Sequence, residues 1–204
     1  MIIENVSQNT PEWLALKAGV PSASNFDKIV TTKGVRSKTA EKYLNQLAGE
    51  RITGIREEGY QNASMLRGIE MEEHAVSTYE VIRGIDTEKV GVCYKDEKKS
   101  FLCSPDRVIK DDSGDSIGLL EIKCPEIHTH VGYLLQNKFP TTYFQQVQGQ
   151  LFVTGLSWCD FMSYYPGLKP MILRIEKDEA FQDALGLELK IFCAELEKIV
   201  KLIK

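Results

Sequence analysis

The sequence predicts an α/β or α+β domain, on three observations. Apolar residues recur at helical spacing before about position 85, alternate at strand spacing through the middle, and return to helical spacing at the end. The resulting order is helices, a strand meander, a helix, two strands and a helix, a layered arrangement around one core. The chain has 204 residues with 43% apolar and 26% charged side chains, enough to bury such a core and close to the globular average.

Thr10-Pro11-Glu12 starts the first helix, because Thr10 caps it and Pro11 sits where no amide partner is needed. Gly19 ends it. Ser22-Ala23-Ser24 opens a second helix running to Val30, and residues 31–37 form a polar, basic loop. A helix over 39–47 precedes a glycine-punctuated stretch to Tyr60, and the spacing of Met65, Ile69, Ala75, Val76 and Tyr79 predicts one long helix over 61–81. Strands follow at 90–94, 101–109 and 117–124, the last two joined by the turn Lys110-Asp111-Asp112-Ser113-Gly114-Asp115. Helices over 126–135 and 141–154 and strands over 158–165 and 170–176 lead to a helix over 178–203. Its Phe181, Leu185, Phe192, Leu196, Ile199 and Ile203 form a stripe for core or subunit contact.

Composition excludes several classes. No apolar run is long enough to span a membrane, and Met1-Ile2-Ile3-Glu4-Asn5 has no basic flank leading into an apolar stretch. Five cysteines (Cys93, Cys103, Cys124, Cys159, Cys193), odd in number and without C-x-x-C, point to free thiols in a reducing cytoplasm. The net charge of −4 argues against nucleic acid, but eight basic against three acidic residues in 17–56 make that segment +5 and leave −9 elsewhere. On charge alone these are solvated helix faces. Residues 33–42 fit a DNA-backbone contact and a mobile loop equally well.

The chemistry concentrates on the central hairpin. Strand alternation puts Glu121 and Lys123 on one face, begun by Ile117 and Leu119, and Leu120, Ile122 and Cys124 on the other, apolar face. Pairing across the hairpin brings Asp106, within Ser104-Pro105-Asp106, beside Glu121. Two converging carboxylates repel unless a cation lies between them, and Mg²⁺ or Mn²⁺ suits such hard oxygen donors. A lysine two residues from a ligand is placed to hold or deprotonate an attacking water. Taken alone, Glu-x-Lys on a strand is a surface ion pair. His128 and His130 diverge on a helix and have no partner at zinc-like spacing, which makes them surface or loop residues. Cys103 and Cys124 flank the site strands, where they could approach each other, although packing is the better reading, and the cysteine spacing does not support a four-cysteine iron–sulfur cluster.

Asp followed after fifteen residues by Glu-x-Lys is the signature of the PD-(D/E)xK nuclease superfamily, and its flanks narrow the match. The segments Glu12 to Ser24, Arg67-Gly68-Ile69-Glu70-Met71-Glu72, Cys103-Ser104-Pro105-Asp106, Leu120-Glu121-Ile122-Lys123-Cys124-Pro125, Tyr143-Phe144-Gln145-Gln146-Val147-Gln148 and Trp158 to Pro166 run in order. Over nearly its whole length the chain resembles the lambda-exonuclease (YqaJ-type viral recombinase) family. That resemblance implies a restriction-endonuclease-like core, a central mixed β-sheet flanked by helices, in one nuclease domain over 1–204, with a helical part at 1–85 and the catalytic sheet and helices at 86–204. It implies a Mg²⁺-dependent 5′-to-3′ exonuclease, with Mn²⁺ as substitute, acting on double-stranded DNA ends. The product would be 3′ single-stranded overhangs for phage-type recombination by strand annealing.

By position, Asp106, Glu121 and the Ile122 carbonyl would bind metal, Glu72 would be the helical acid of the site, Lys123 the catalytic lysine, and Gln146 would orient Lys123 or the water. Lys17, Ser24 and Ser104 would bind the 5′-terminal phosphate, with Lys17 where the family usually has arginine, so charge is kept but the bidentate fork is lost. The resemblance further implies a ring-shaped homotrimer, a single-strand-annealing partner protein, and the cytoplasm of a bacterial host cell. Two rival readings remain open from the residues: a site- or structure-specific DNA endonuclease on the same core, and a DNA-binding assembly module.

Overall fold

The structure, a computed structural model, describes residues 1–56 and 63–204, with every side chain among them except those at 63–66 and 69. The side chains of Met65 and Ile69 and the predicted stretch at 57–62 therefore lie outside what is described. Helix α1 (Pro11–Lys17) begins as predicted, with Thr10 Oγ1 accepting the Trp13 N–H at 3.3 Å. The second predicted helix is a short 3-10 helix, Ala23–Lys28. Helix α2 (Ala40–Thr53) outruns its prediction by six residues to stop at Gly54, because Ile52 packs on the core beyond Leu47. Helix α3 (Ala63–Arg83) follows.

Two sheets sit where one meander was predicted. Strands β1 (Ile2–Glu4), β3 (Val92–Tyr94) and β4 (Leu102–Cys103) form a small antiparallel sheet in the order β1-β3-β4. Strands β2 (Thr87–Glu88), β5 (Arg107–Lys110), β6 (Ser116–Lys123), β7 (Trp158–Ser163) and β8 (Met171–Glu176) form the main sheet in the order β2-β5-β6-β7-β8. Only β6 and β7 pair in parallel, so the sheet is mixed, as the resemblance implies. The predicted strand at 101–109 is therefore two strands in different sheets, broken at Ser104-Pro105-Asp106. Pro105 has no N–H to extend a ladder, and Gln8 Nε2 takes up the Pro105 carbonyl at 3.0 Å. Strands β1 and β2, too short to show a period, were not anticipated.

Helix α4 (Ile127–Gln136), a 3-10 turn (Thr141–Tyr143) and α5 (Phe144–Thr154) cross from β6 to β7. Both faces of β6 are covered. Leu119 joins Val147, Leu151 and Phe161 on the α5 side, and Leu120 and Ile122 join Ala75, Val76 and Tyr79 on the α3 side. Gly149 lets α5 close on the 3-10 helix: a Cβ there would lie 2.5 Å from the Phe26 ring. Helix α6 (Glu179–Ile203) seals the α5 side with Phe181, Leu185, Leu189, Phe192 and Leu196 buried, each contributing about 1.5–3 kcal/mol. Its stripe runs out at Val200, and Ile203 is exposed.

Three further expectations change. The basic loop is docked rather than free at Arg36, which bridges to Glu195 at 2.5 Å and Glu188 at 3.9 Å on α6. His128 is exposed, but His130 is buried, its Nδ1 2.7 Å from Ser163 Oγ and its Nε2 3.0 Å from the Lys169 carbonyl. A carbonyl only accepts, so Nε2 carries the proton and the ring ties α4 to the end of β7. All five cysteines are free, and Cys103 faces Cys93 across β3 and β4 rather than Cys124.

Candidate active site

The β5–β6 register pairs Arg107 with Leu120, which puts Asp106, one residue earlier, opposite Glu121 where the hairpin opens. The Asp106 carboxylate accepts the Ile122 N–H at 2.6 Å, so the strand that carries Glu121 also fixes Asp106. Glu121 is buried at 1% exposure. Lys123 Nζ and Gln146 Nε2 both reach its Oε1 at 2.6 Å, and Gln150 Nε2 reaches its Oε2 at 2.6 Å. Gln146 and Gln150 are one helical turn apart on α5 and so share a face. The structure thus gathers Asp106, Glu121, Ile122, Lys123 and Gln146, with one change: Gln146 holds Glu121 rather than Lys123. Lys123 lies over the Tyr143 ring, 5.1 Å from its centroid.

Burial and the Glu121 charge hold the Asp106 carboxyl well above the usual carboxylate range, and Glu72 adds to the rise. Burial works to lower the Lys123 ammonium, but Glu121 and then Asp106 outweigh it and raise Lys123 above the ordinary lysine value. One lysine against two carboxylates leaves the pair short of positive charge.

That shortage and the donor chemistry fit a hard divalent cation. Among the described residues no group of three His, Cys, Asp or Glu could hold a metal, so the donors are two carboxylates and a main-chain carbonyl. Mg²⁺ keeps several waters and is satisfied by one or two protein carboxylates. Gln150 Oε1, buried and without a hydrogen-bond partner, adds an acceptor beside Glu121 for a bound water.

Glu72 enters through Arg107. That guanidinium, buried at 3% exposure, reaches Glu72 Oε1 at 3.2 Å, both Glu73 oxygens at 2.9 Å and the Asp106 carbonyl at 2.7 Å. It therefore ties α3 to the Asp106 peptide.

Of the three residues assigned to the terminal phosphate, Lys17 and Ser104 meet at Trp13. The indole Nε1 donates to Ser104 Oγ at 2.9 Å, and Lys17 Nζ sits 3.7 Å from the ring centroid. Ser104 also donates to the Gly91 carbonyl. Pairing of Ser22 with Leu102 brings the 3-10 helix alongside, where Ser24 is exposed and its Oγ lies 3.1 Å from Ser22 Oγ. Burial and Arg56 push Lys17 down to about 7.

Sequence reasoning missed Gln150, Arg107 and Trp13 as site residues. Each had a signal: Gln150 repeats Gln146 one turn on, Arg107 follows Asp106 and so must face the opposite side, and Trp13 lies one turn before Lys17.

The chain matches the YqaJ-like viral recombinase domain over residues 12–157. Its fold is similar to that of an alkaline exonuclease, LHK-Exo, from Laribacter hongkongensis, at 33% identity over 95% of this chain and 96% of that one, with a TM-score of 0.83. LHK-Exo in complex with dAMP matches at 34% identity over 96% of each chain, with a TM-score of 0.84. A phage-related exonuclease from Haemophilus somnus 129PT shares the fold at 16% identity, over 91% of this chain and 96% of that one, with a TM-score of 0.68. No curated protein matches by sequence. Among the described residues no helix is long and apolar enough to cross a membrane. The chain belongs to the YqaJ-like viral recombinase domain family, an enzyme with the fold of the exonucleases it matches.

Proposed function

We propose that this chain is a divalent-metal-dependent exonuclease that degrades the 5′-ended strand of duplex DNA and leaves a 3′ single strand for recombination by annealing. The observation that carries the reading is Glu121, a buried carboxylate gripped by Lys123, Gln146 and Gln150 and facing a second acid, Asp106. Asp106, Glu121 and the Ile122 carbonyl would hold Mg²⁺ or Mn²⁺, with Glu72 beside them. The ion supplies charge neutralisation at the scissile phosphate and a water of lowered pKa.

The chain's own residues do the positioning. Gln146 and Gln150 fix both oxygens of Glu121, so that carboxylate needs no reorganisation during the reaction. Lys123 Nζ, held protonated by the two acids, is placed to donate a hydrogen bond that orients the attacking water; it would take that water's proton only after the charge of the two acids is neutralised and its own proton has passed to solvent. Lys17, Ser24 and Ser104 would receive the 5′-terminal phosphate and so set the polarity of digestion. LHK-Exo binds dAMP, which supports a nucleotide substrate. A homotrimer threaded on DNA and a single-strand-annealing protein as partner complete the proposal on the strength of the family.

End-labelled linear duplex, incubated with and without Mg²⁺, tests it. Mg²⁺-dependent release of the 5′ label first, with closed circular plasmid left intact, is the expected result. Early release of the 3′ label overturns the polarity, and cutting of the closed circle overturns the dependence on ends.

A further inference from the structure

A cavity of about 120 Å³ opens beside Lys17, lined among others by Ser22, Asn25, Lys28, Glu50 and Arg56. At ~30 Å³ per water it has room for a small tetrahedral anion. Among the described residues three cations line it against one acid, and that acid is engaged: Glu50 accepts the Gly19 N–H and Gln46 Nε2, each at 2.9 Å. Two of the cations share one aromatic ring. Lys17 Nζ lies 3.7 Å from the Trp13 centroid and Arg56 Cζ lies 6.0 Å from it. Lys17 is only 8% exposed. A buried ammonium beside a guanidinium is a costly pairing of like charges unless an anion joins them.

The other groups facing Lys17 do not relieve it. Glu121 on β6 and Cys103 on β4 pull its pKa up, yet burial and Arg56 prevail and bring it to about 7. Lys28 lies 5.0 Å from the Tyr43 ring centroid, and burial raises the Tyr43 phenol to about 12, which keeps it neutral. A phosphate monoester brings close to two negative charges and three acceptor oxygens. A guanidinium can grip two of those oxygens at once, which an ammonium cannot.

We propose that Arg56 is a specificity-determining residue for a 5′-terminal phosphate at the cavity adjoining Lys17, supplying the planar two-pronged contact that the Lys17 ammonium cannot make. Lys17 then serves as the point charge over Trp13, and Arg56 closes the pocket from two residues beyond Gly54, the C-cap of α2. The inference rests on the reading that the 5′-terminal phosphate enters at Lys17.

The test uses the full-length protein with Mg²⁺ and linear duplexes ending in 5′-phosphate or 5′-hydroxyl, scored as the ratio of kcat/KM for the two ends. Arg56→Gln lowers that ratio by about tenfold or more, the weight of a charge-assisted pair. Arg56→Lys recovers only part of it, because charge returns without the fork. Lys201→Gln, the same charge change at a distant site on α6, leaves the ratio at the native value. A second readout needs no DNA: inorganic phosphate, titrated by calorimetry, binds the native protein more tightly than Arg56→Gln. Loss of the Arg56 charge also raises the pKa of Lys17, followed by NMR, which a merely structural role would not do. A native ratio well above one that survives Arg56→Gln overturns the proposal and leaves the pocket reading intact. A native ratio of one overturns the pocket reading and the proposal together.

Discussion

Two buried acids stand on neighbouring strands of one sheet, and their surroundings differ in sign. Asp160 on β7 is fully buried on the α3 side, registered with Leu120. Its carboxylate takes Arg174 Nε at 2.9 Å, the Tyr79 hydroxyl at 2.9 Å and Arg83 Nη2 at 3.4 Å. Arg174 Cζ lies over Trp158, 3.5 Å from a ring centroid, and that indole fits only because residue 118 is glycine: a Cβ there would come within 2.4 Å. Glu121, one residue along and on the opposite side, has one lysine and two neutral amides, with Asp106 adding a second negative charge. Asp160 has cations in excess and holds α3 to the sheet. Glu121 and Asp106 have too few, and that deficit suits the cation and phosphodiester site proposed for them. Burial alone does not separate structure from function; the local charge balance does.

Replacing Lys123 by Ala tests the deficient side and carries the largest expected effect. Digestion of 5′-phosphorylated duplex falls by about 10²–10⁴-fold, the range for loss of a positioned proton-transfer group. Mg²⁺ binding, followed by calorimetry, persists because Asp106 and Glu121 remain. Undiminished digestion would sink the role of Lys123.

On the compensated side, Asp160→Ala leaves two guanidiniums and a phenol without their shared acceptor. The cost is about 1–3 kcal/mol of stability, the range for a buried group left without its partner, because both guanidiniums are part-exposed and only the Tyr79 hydroxyl is stranded in the interior. Denaturant unfolding reads that loss, while activity per folded molecule at low temperature stays near native. If Asp160→Ala were stable but inactive, the contrast between the two acids would fail.

How much of this was legible depended on whether the signal was local. Asp106, Glu121 and Lys123 were readable because a hairpin turn sets register and a strand sets facing, both within about twenty residues. The break at Pro105 was written in the chain but masked by the apolar residues on either side of it, Leu102 and Cys103 before and Val108 and Ile109 after. Asp160 stood as a lone acid within Trp158-Cys159-Asp160-Phe161-Met162, which announces a buried charge without naming its partners. Those partners, Tyr79 and Arg83 on α3 and Arg174 on β8, are set by packing across the sheet, and no sequence spacing encodes that. His130 looked like a surface residue for the same reason: its partners, Ser163 and Lys169, lie on another strand and loop.

The Lys17 pocket extends the comparison to the opposite sign, since cations are in excess there, and its pH response is the subtlest expected effect. In the folded protein Lys17 is lowered from 10.5 to about 7, burial first and Arg56 second. Between those two values the unfolded chain binds a proton that the folded chain does not, so stability rises with pH across that window and is lost again as pH falls towards 7. Recognition of a terminal phosphate runs the other way, because it needs the ammonium. With half the free sites deprotonated near pH 7, native affinity for a 5′-phosphate end, relative to a 5′-hydroxyl end, declines by about tenfold between pH 6 and pH 8. Lys17→Arg stays charged throughout, so its preference is nearly flat over the same range, and the two proteins differ by a few-fold at most at pH 6. Parallel titration of both, scored by digestion of the two kinds of end, is the check. Equal slopes would mean that Lys17 keeps its proton in the folded protein and that the pocket is less crowded with positive charge than its geometry requires.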